Sequence, residues 1–216
     1  MSGLRALGLA VCALAMAGVP AAASVWDLEI GPLAGATAPD ASLADYRWDT
    51  TPQFESGLET TIGKDRWRAG LRLRRSRTTQ GTGLDLEAGD PTVRATNTEI
   101  LGRYRAARPV GVGIWITGHA GWMNLGYTPG QVTLDTGTGL DPVTVKFGPV
   151  NELALGGGLM LRRILGNSWA LALSGETSTF GLDTAHRRGD EIVYRRDRFW
   201  NWSVRLAVTW RTEFGS

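Results

Sequence analysis

The chain has 216 residues, with 23 Lys plus Arg against 21 Asp plus Glu and a formal net charge of +2, a size that suits one domain or one large β architecture. Acids and bases are interspersed, and no basic run stands apart, which speaks against a nucleic-acid partner. The single cysteine, Cys12, lies in the N-terminal segment described next, so the remainder has no thiol, disulfide or cysteine metal site.

Residues 1–23 carry Arg5, an apolar stretch from Ala6 to Gly18, Pro20 and the small run Ala21, Ala22, Ala23. This is the pattern of a secretory signal peptide cleaved before Ser24. Its apolar core is shorter than the roughly 20 residues of a spanning helix. Residues 24–216 are then expected to form one exported domain.

From there alternation dominates. VWDLEIG sets Trp26, Leu28 and Ile30 against Asp27 and Glu29, and FESGLETTI sets Phe54, Leu58 and Ile62 against Glu55, Glu59 and Thr61. After the turn Gly63-Lys64-Asp65, RWRAGLRLR places Trp67, Ala69, Leu71 and Leu73 opposite Arg66, Arg68, Arg72 and Arg74. EILGRYRA puts Ile100, Tyr104 and Ala106 against Glu99, Arg103 and Arg105; VGVGIWITGHAGW puts Val112, Ile114, Ile116, Ala120 and Trp122 against Trp115, Thr117 and His119. NELALGGGLMLR alternates Leu153, Leu155, Leu159 and Leu161 with Glu152, Gly156, Gly158, Met160 and Arg162, and WALALSGET alternates Trp169, Leu171 and Leu173 with Ala170, Ala172, Ser174 and Glu176. The last segment is the longest, with Trp200, Trp202, Val204, Leu206, Val208, Trp210, Thr212 and Phe214 on one face and Arg205 and Arg211 on the other. Period-two patterns of this kind are strands, about eight in all.

The connections alternate too. Turns near 63–65, 107–109 and 164–167 are short, whereas 35–52, 76–95, 127–146 and 183–196 are long and rich in Thr, Gly, Asp and Pro. Short turns at one end and long loops at the other predict an all-β fold, an eight-stranded antiparallel up-and-down transmembrane β-barrel.

Tryptophan placement decides which face meets lipid. Trp200 and Trp210 share a face ten residues apart, about 33 Å along a strand and near 25 Å in height at a tilt of about 40°. That is the height of an outer-membrane apolar band. Trp26, Trp67, Tyr104, Trp169 and Trp210 are expected in a girdle at the short-turn end, and Phe54, Trp122, Trp200 and Trp202 in one at the long-loop end, with Phe214 also a girdle residue, because indoles favour the boundary of water and hydrocarbon. The ionic side then faces inward. Its expected lumen network comprises Glu29, Glu55, Glu59, Arg68, Arg72, Glu99, Arg103, His119, Glu152, Arg162, Glu176 and Arg205, with salt bridging the expected task of Glu152 and Glu176. Closure requires the terminal strand, Trp200 to Phe214, to pair with Trp26 to Ile30.

With its signal peptide, eight alternating strands, four long loops and aromatic closing strand, the chain resembles the small eight-stranded outer-membrane barrels of Gram-negative bacteria, the group of the OmpA transmembrane domain, OmpX and OmpW. The resemblance spans Ser24 to Ser216 and implies export through the periplasm, delivery to the outer-membrane assembly machinery, contact with outer-membrane lipid and lipopolysaccharide, and a monomer without cofactor. Lipid A deacylases on this scaffold carry a His-x-Ser pair, whereas His119 is followed by Ala120 and Gly121. The lipid A palmitoyltransferases carry a helix before the first strand, whereas here strand residues begin almost at Ser24. No catalytic activity is therefore expected, and the lumen charges imply a structural or surface-interaction role. Two alternatives stay open: a narrow porin-like channel beside Gly111, Gly113, Gly156, Gly158, Ala170 and Ala172, and a lipid A-modifying enzyme. Arg187, Arg188, Arg195, Arg196 and Arg198, clustered in HRRGDEIVYRRDR, are candidate lipopolysaccharide contacts, since the guanidinium fork fits phosphate. Asp85, Glu87, Asp90, Asp135 and Asp141 match no recognised calcium-loop spacing.

Overall fold

A computed structural model of the chain describes residues 25–81, 90–134, 143–188 and 191–214. The signal segment 1–23, the loop acids Asp85, Glu87, Asp135 and Asp141, and the side chains of His186, Arg187 and Arg188 lie outside the described residues. The strands are β1 (Trp26–Ala38), β2 (Gln53–Lys64), β3 (Trp67–Thr79), β4 (Thr92–Ala107), β5 (Val112–Thr128), β6 (Gln131–Leu134), β7 (Val143–Lys146), β8 (Val150–Leu165), β9 (Trp169–Arg188) and β10 (Glu191–Phe214). Eight of them close a barrel in the order β1-β10-β9-β8-β5-β4-β3-β2, and β6 and β7 form a small separate hairpin.

Closure occurs where the alternation requires it. Trp26 lies opposite Phe214, Ile30 opposite Trp210 and Ala38 opposite Trp202, all antiparallel. The pairing satisfies the last open edge, which hydrocarbon could not.

Two expected loops are strand in part. Residues 183–188 and 191–196 continue β9 and β10 as a paired ladder, with Arg188 opposite Glu191, and β3 and β4 remain paired up to Thr79 and Thr92. Their Thr, Arg and Asp content reads as loop because both faces are polar above the bilayer, yet the ladder hydrogen bonds continue. The first long connection folds into a 3-10 helix, Ala41–Tyr46, capped by Asp40. That carboxylate accepts from the Ser42 amide and hydroxyl and from the Trp200 amide on β10. Partial burial pushes Asp40 up, but these donors outweigh it and hold the carboxyl below its ordinary 3.8.

The short turn between β4 and β5 carries a strained residue. Val110 is fully exposed with φ 47 and ψ 40, a left-handed conformation that costs a residue with a Cβ about 1–2 kcal/mol. Glycine has no such cost but orders at the expense of more entropy. Val110→Gly is expected to stabilise the barrel by about 0.5–1 kcal/mol, measured by urea unfolding in lipid vesicles. An unchanged or lowered midpoint would mean that the turn carries no strain.

Candidate functional site

The lumen is filled in layers, each set by residues of inward parity. At mid-height three arginines and three glutamates from five strands close an alternating ring. Arg72 bridges Glu99 and Glu176, each at 2.7 Å. Arg205 bridges Glu176, at 2.7 Å, and Glu55. Arg74 closes the ring between Glu55 and Glu99. Every carboxylate takes two guanidiniums and every guanidinium two carboxylates, and all six side chains are buried. Equal numbers of each charge leave the ring neutral, the condition under which buried ions can stay ionised.

His119 lies against this ring. Its Nδ1 is 3.3 Å from Glu176 and its Nε2 3.9 Å from Glu99, yet neither nitrogen makes a hydrogen bond among the described residues. The expected place in the lumen is found; the expected hydrogen bonding is not. The imidazole packs onto Gly156, where any Cβ would meet the ring.

Toward the short-turn end, Arg103 holds Glu59 with two bonds of 3.0 and 2.7 Å. Across the lumen Arg68 contacts Asp27 and, at 3.2 Å, Glu29, which also pairs with Arg162. Between this layer and the ring sit Leu33, Trp115, Met160, Ala172 and Ala207. Trp115 is 1% exposed, with the guanidiniums of Arg105 and Arg162 5.7 and 5.8 Å from its ring centroid, within cation–π range. The small lumen residues have an evident purpose here. Gly113 leaves room for this indole and Gly156 for His119, so both gaps are occupied.

Above the ring the interior becomes apolar, a change that assigning apolar residues to lipid does not foresee. Val93, Met123, Leu125, Ala154, Phe180, Leu182 and Phe199 pack inward under Leu43 of the 3-10 helix. Counting by twos from Glu176 to Phe180 and Leu182, or from Arg205 back to Phe199, would have found them. Between this plug and the ring remains a cavity of only about 20 Å³, lined in part by Glu55, Arg74, Asn97 and Phe180. A pocket of about 420 Å³ lies above the plug, among Leu43, Tyr46, Trp48, Tyr127, Glu152 and Leu182. Beside it the β8–β9 ladder stops at Ala154 and Phe180 while β9 continues to Arg188.

Glu152 and Glu176 do not form a carboxylate pair. Glu176 belongs to the ring; Glu152 is at the upper rim, bound to Arg196. Arg196 also reaches Asp183 at 3.5 Å, and Arg195 holds Asp197 at 2.7 Å, so both are engaged within the chain. Arg198 is exposed on β10.

The outer wall is the inverse of the lumen. Leu58, Leu71, Ile116, Leu155, Leu159, Leu173, Val204 and Leu206 all point outward. Trp67, Trp169, Trp210 and Phe214 lie outward at the short-turn end, with half-buried Trp26 and Tyr104, and Phe54, Trp122, Trp200 and Trp202 at the other. Trp67 packs on Tyr104 at 4.6 Å between centroids. No described helix is long and apolar enough to cross a membrane; the strands are the crossing elements.

No protein-family model and no curated protein matches the chain. Solved structures with a similar course include Neisserial surface protein A, at 10% identity and TM-score 0.48 over 88% of this chain and 97% of that one. A major outer membrane protein of Thermus thermophilus gives 14% identity and TM-score 0.47 over 86% and 99%. Outer membrane protein OprG of Pseudomonas aeruginosa gives 9% identity and TM-score 0.45 over 88% and 96%. The assignment rests on the geometry itself: a soluble barrel does not seal its ions inside and present leucines between two aromatic belts to water. A closed wall of eight antiparallel strands, apolar without and ionic within, makes this chain a small eight-stranded β-barrel of the outer-membrane type.

Proposed function

We propose that the protein is a non-conducting, non-enzymatic barrel with a structural or surface-interaction role in the outer membrane of a Gram-negative bacterium. Its long connections face outward, and it works as a monomer in contact with lipopolysaccharide after insertion by the assembly machinery. The observation that carries this reading is the closed ring of Arg72, Arg74, Arg205, Glu55, Glu99 and Glu176. It crosses the lumen where an ion would have to pass. Eight strands leave an interior just wide enough for side chains, and the cavity beside the ring, about 20 Å³, has room for about one water and not for a continuous file of them. A catalytic role for His119 finds no support either, since neither ring nitrogen has a hydrogen-bonded hydroxyl beside it among the described residues.

Purified protein in planar bilayers is expected to give no stable single-channel steps at neutral pH. Regular steps of conductance that depend on protein concentration would overturn the sealed lumen and favour a narrow channel.

A further inference from the structure

The outer faces of β3 and β4 carry charges that the sealed lumen does not explain. Going up β3 the outward residues are Trp67, Ala69, Leu71, Leu73, Arg75 and Arg77; going up β4 they are Tyr104, Gly102, Ile100, Thr98, Thr96 and Arg94. Arg75, Arg77 and Arg94 are all exposed. Arg77 stands directly opposite Arg94 in the ladder, and Arg75 opposite Thr96, so the three share one small patch. Like charges directly opposite each other destabilise a strand pair. Each inward arginine of the ionic layers, Arg68, Arg72, Arg74, Arg103, Arg162 and Arg205, has a carboxylate partner. Arg75, Arg77 and Arg94 have none among the described residues.

Their height says what could neutralise them. Leu73 is opposite Thr98, and Thr98 is opposite Trp122 of the upper belt. Arg75 is the next outward residue above Leu73, and Arg77 and Arg94 follow, so the patch begins where hydrocarbon ends and headgroups begin. We propose that Arg75, Arg77 and Arg94 form a binding site for the phosphate groups of an outer-leaflet glycolipid, of the lipid A type. Guanidiniums bind phosphate through paired, charge-assisted hydrogen bonds, and adjacent hydrocarbon reduces the screening that weakens such contacts in open water. A phosphate between Arg77 and Arg94 also turns their repulsion into two attractions. The proposal rests on the outer-membrane reading and deepens it by naming the lipid chemistry and its residues. It adds a contact on β3 and β4 to the candidates on β10, of which Arg195 and Arg196 are already held by acids.

The test uses the full mature chain in detergent micelles, titrated with bisphosphorylated lipid A, with its dephosphorylated counterpart and with inorganic phosphate. The wild type is expected to bind lipid A about tenfold or more tightly than Arg75→Gln/Arg77→Gln/Arg94→Gln, and its affinity to fall more steeply with salt. Heat-modifiable gel migration, unchanged in the variant, shows that it is folded. Arg163→Gln, exposed on β8 at the opposite end, is expected to bind like the wild type. Equal binding by wild type and triple variant overturns the site. So does an equal loss in Arg163→Gln, which would reduce the effect to net charge, or equal affinity for phosphorylated and dephosphorylated lipid. Inorganic phosphate binding as tightly as lipid A would overturn the lipid assignment. Failure of the wild type to insert into bilayers would instead strike the outer-membrane reading, a result independent of these titrations.

Discussion

Glu176→Ala is expected to destabilise the barrel by about 3–5 kcal/mol, the range for breaking a buried ion pair by removing one partner. The size follows from what is left behind. Glu176 accepts two bonds from Arg72, at 3.0 and 2.7 Å, and one from Arg205 at 2.7 Å. Its removal leaves three buried guanidiniums sharing Glu55 and Glu99, with water excluded by Trp115 and Met160 below and by Phe180 and Phe199 above. Glu152→Gln supplies the contrast. Its partner Arg196 has a side chain 55% exposed, so the pair is screened by solvent and its loss should cost about 0–1 kcal/mol. Equilibrium unfolding in urea, from vesicles of one lipid composition, compares the two. Similar losses for both variants would show that the ring is hydrated rather than sealed.

Why the ring's members were legible while its closure was not is a matter of which distances a sequence encodes. Period-two alternation fixes the face of every strand residue, so Glu55, Arg72, Glu99, Glu176 and Arg205 could be placed inside, and Trp67, Trp122 and Trp210 outside, by counting alone. Arg74 had the same inward parity, and its contacts with Glu55 and Glu99 reach only the neighbouring strands β2 and β4; the contacts that close the ring between strands that do not pair are Arg72 with Glu176 and Arg205 with Glu55. Such contacts depend on the stagger between strands that are not neighbours in the wall, here β3 with β9 and β2 with β10, and stagger leaves no mark on any one segment. The apolar plug is a different case. Phe180, Leu182 and Phe199 kept inward parity while changing chemistry, and an assumption that apolar means lipid-facing hid them. Trp115, also inward, shows the same thing lower in the barrel. The extended β9–β10 hairpin was masked because, once clear of the bilayer, neither face needs to be apolar, so the alternation that announces a strand fades although the ladder goes on.

Leu206→Arg is expected to cost about 2–4 kcal/mol, the range for a cation on the lipid face at the bilayer midplane. Leu206 is midway between Trp202 and Trp210 on the outward face of β10, opposite Leu173 on β9 and Ala34 on β1, so its neighbours on both sides are apolar and offer no carboxylate. An arginine there can only reach water by extending along the wall toward a belt or by drawing water and headgroups into the membrane, and both leave part of the penalty in place. Tyr194→Arg tests the same chemistry on the same strand and face but above the belt, where the side chain is 75% exposed. Little hydrocarbon is lost there, and the change should stay within about 0.5 kcal/mol. The pair isolates depth from residue type, because both variants add one arginine to the outer face of β10. If the two unfolding free energies in phosphatidylcholine vesicles shift equally, the leucines of the outer wall do not face lipid and the barrel would have to be turned inside out, with its ring of ions as an aqueous surface. The six ring side chains, all buried from solvent with their partners in place, cannot form such a surface without rebuilding every ladder, which is why the depth dependence is the outcome the geometry demands.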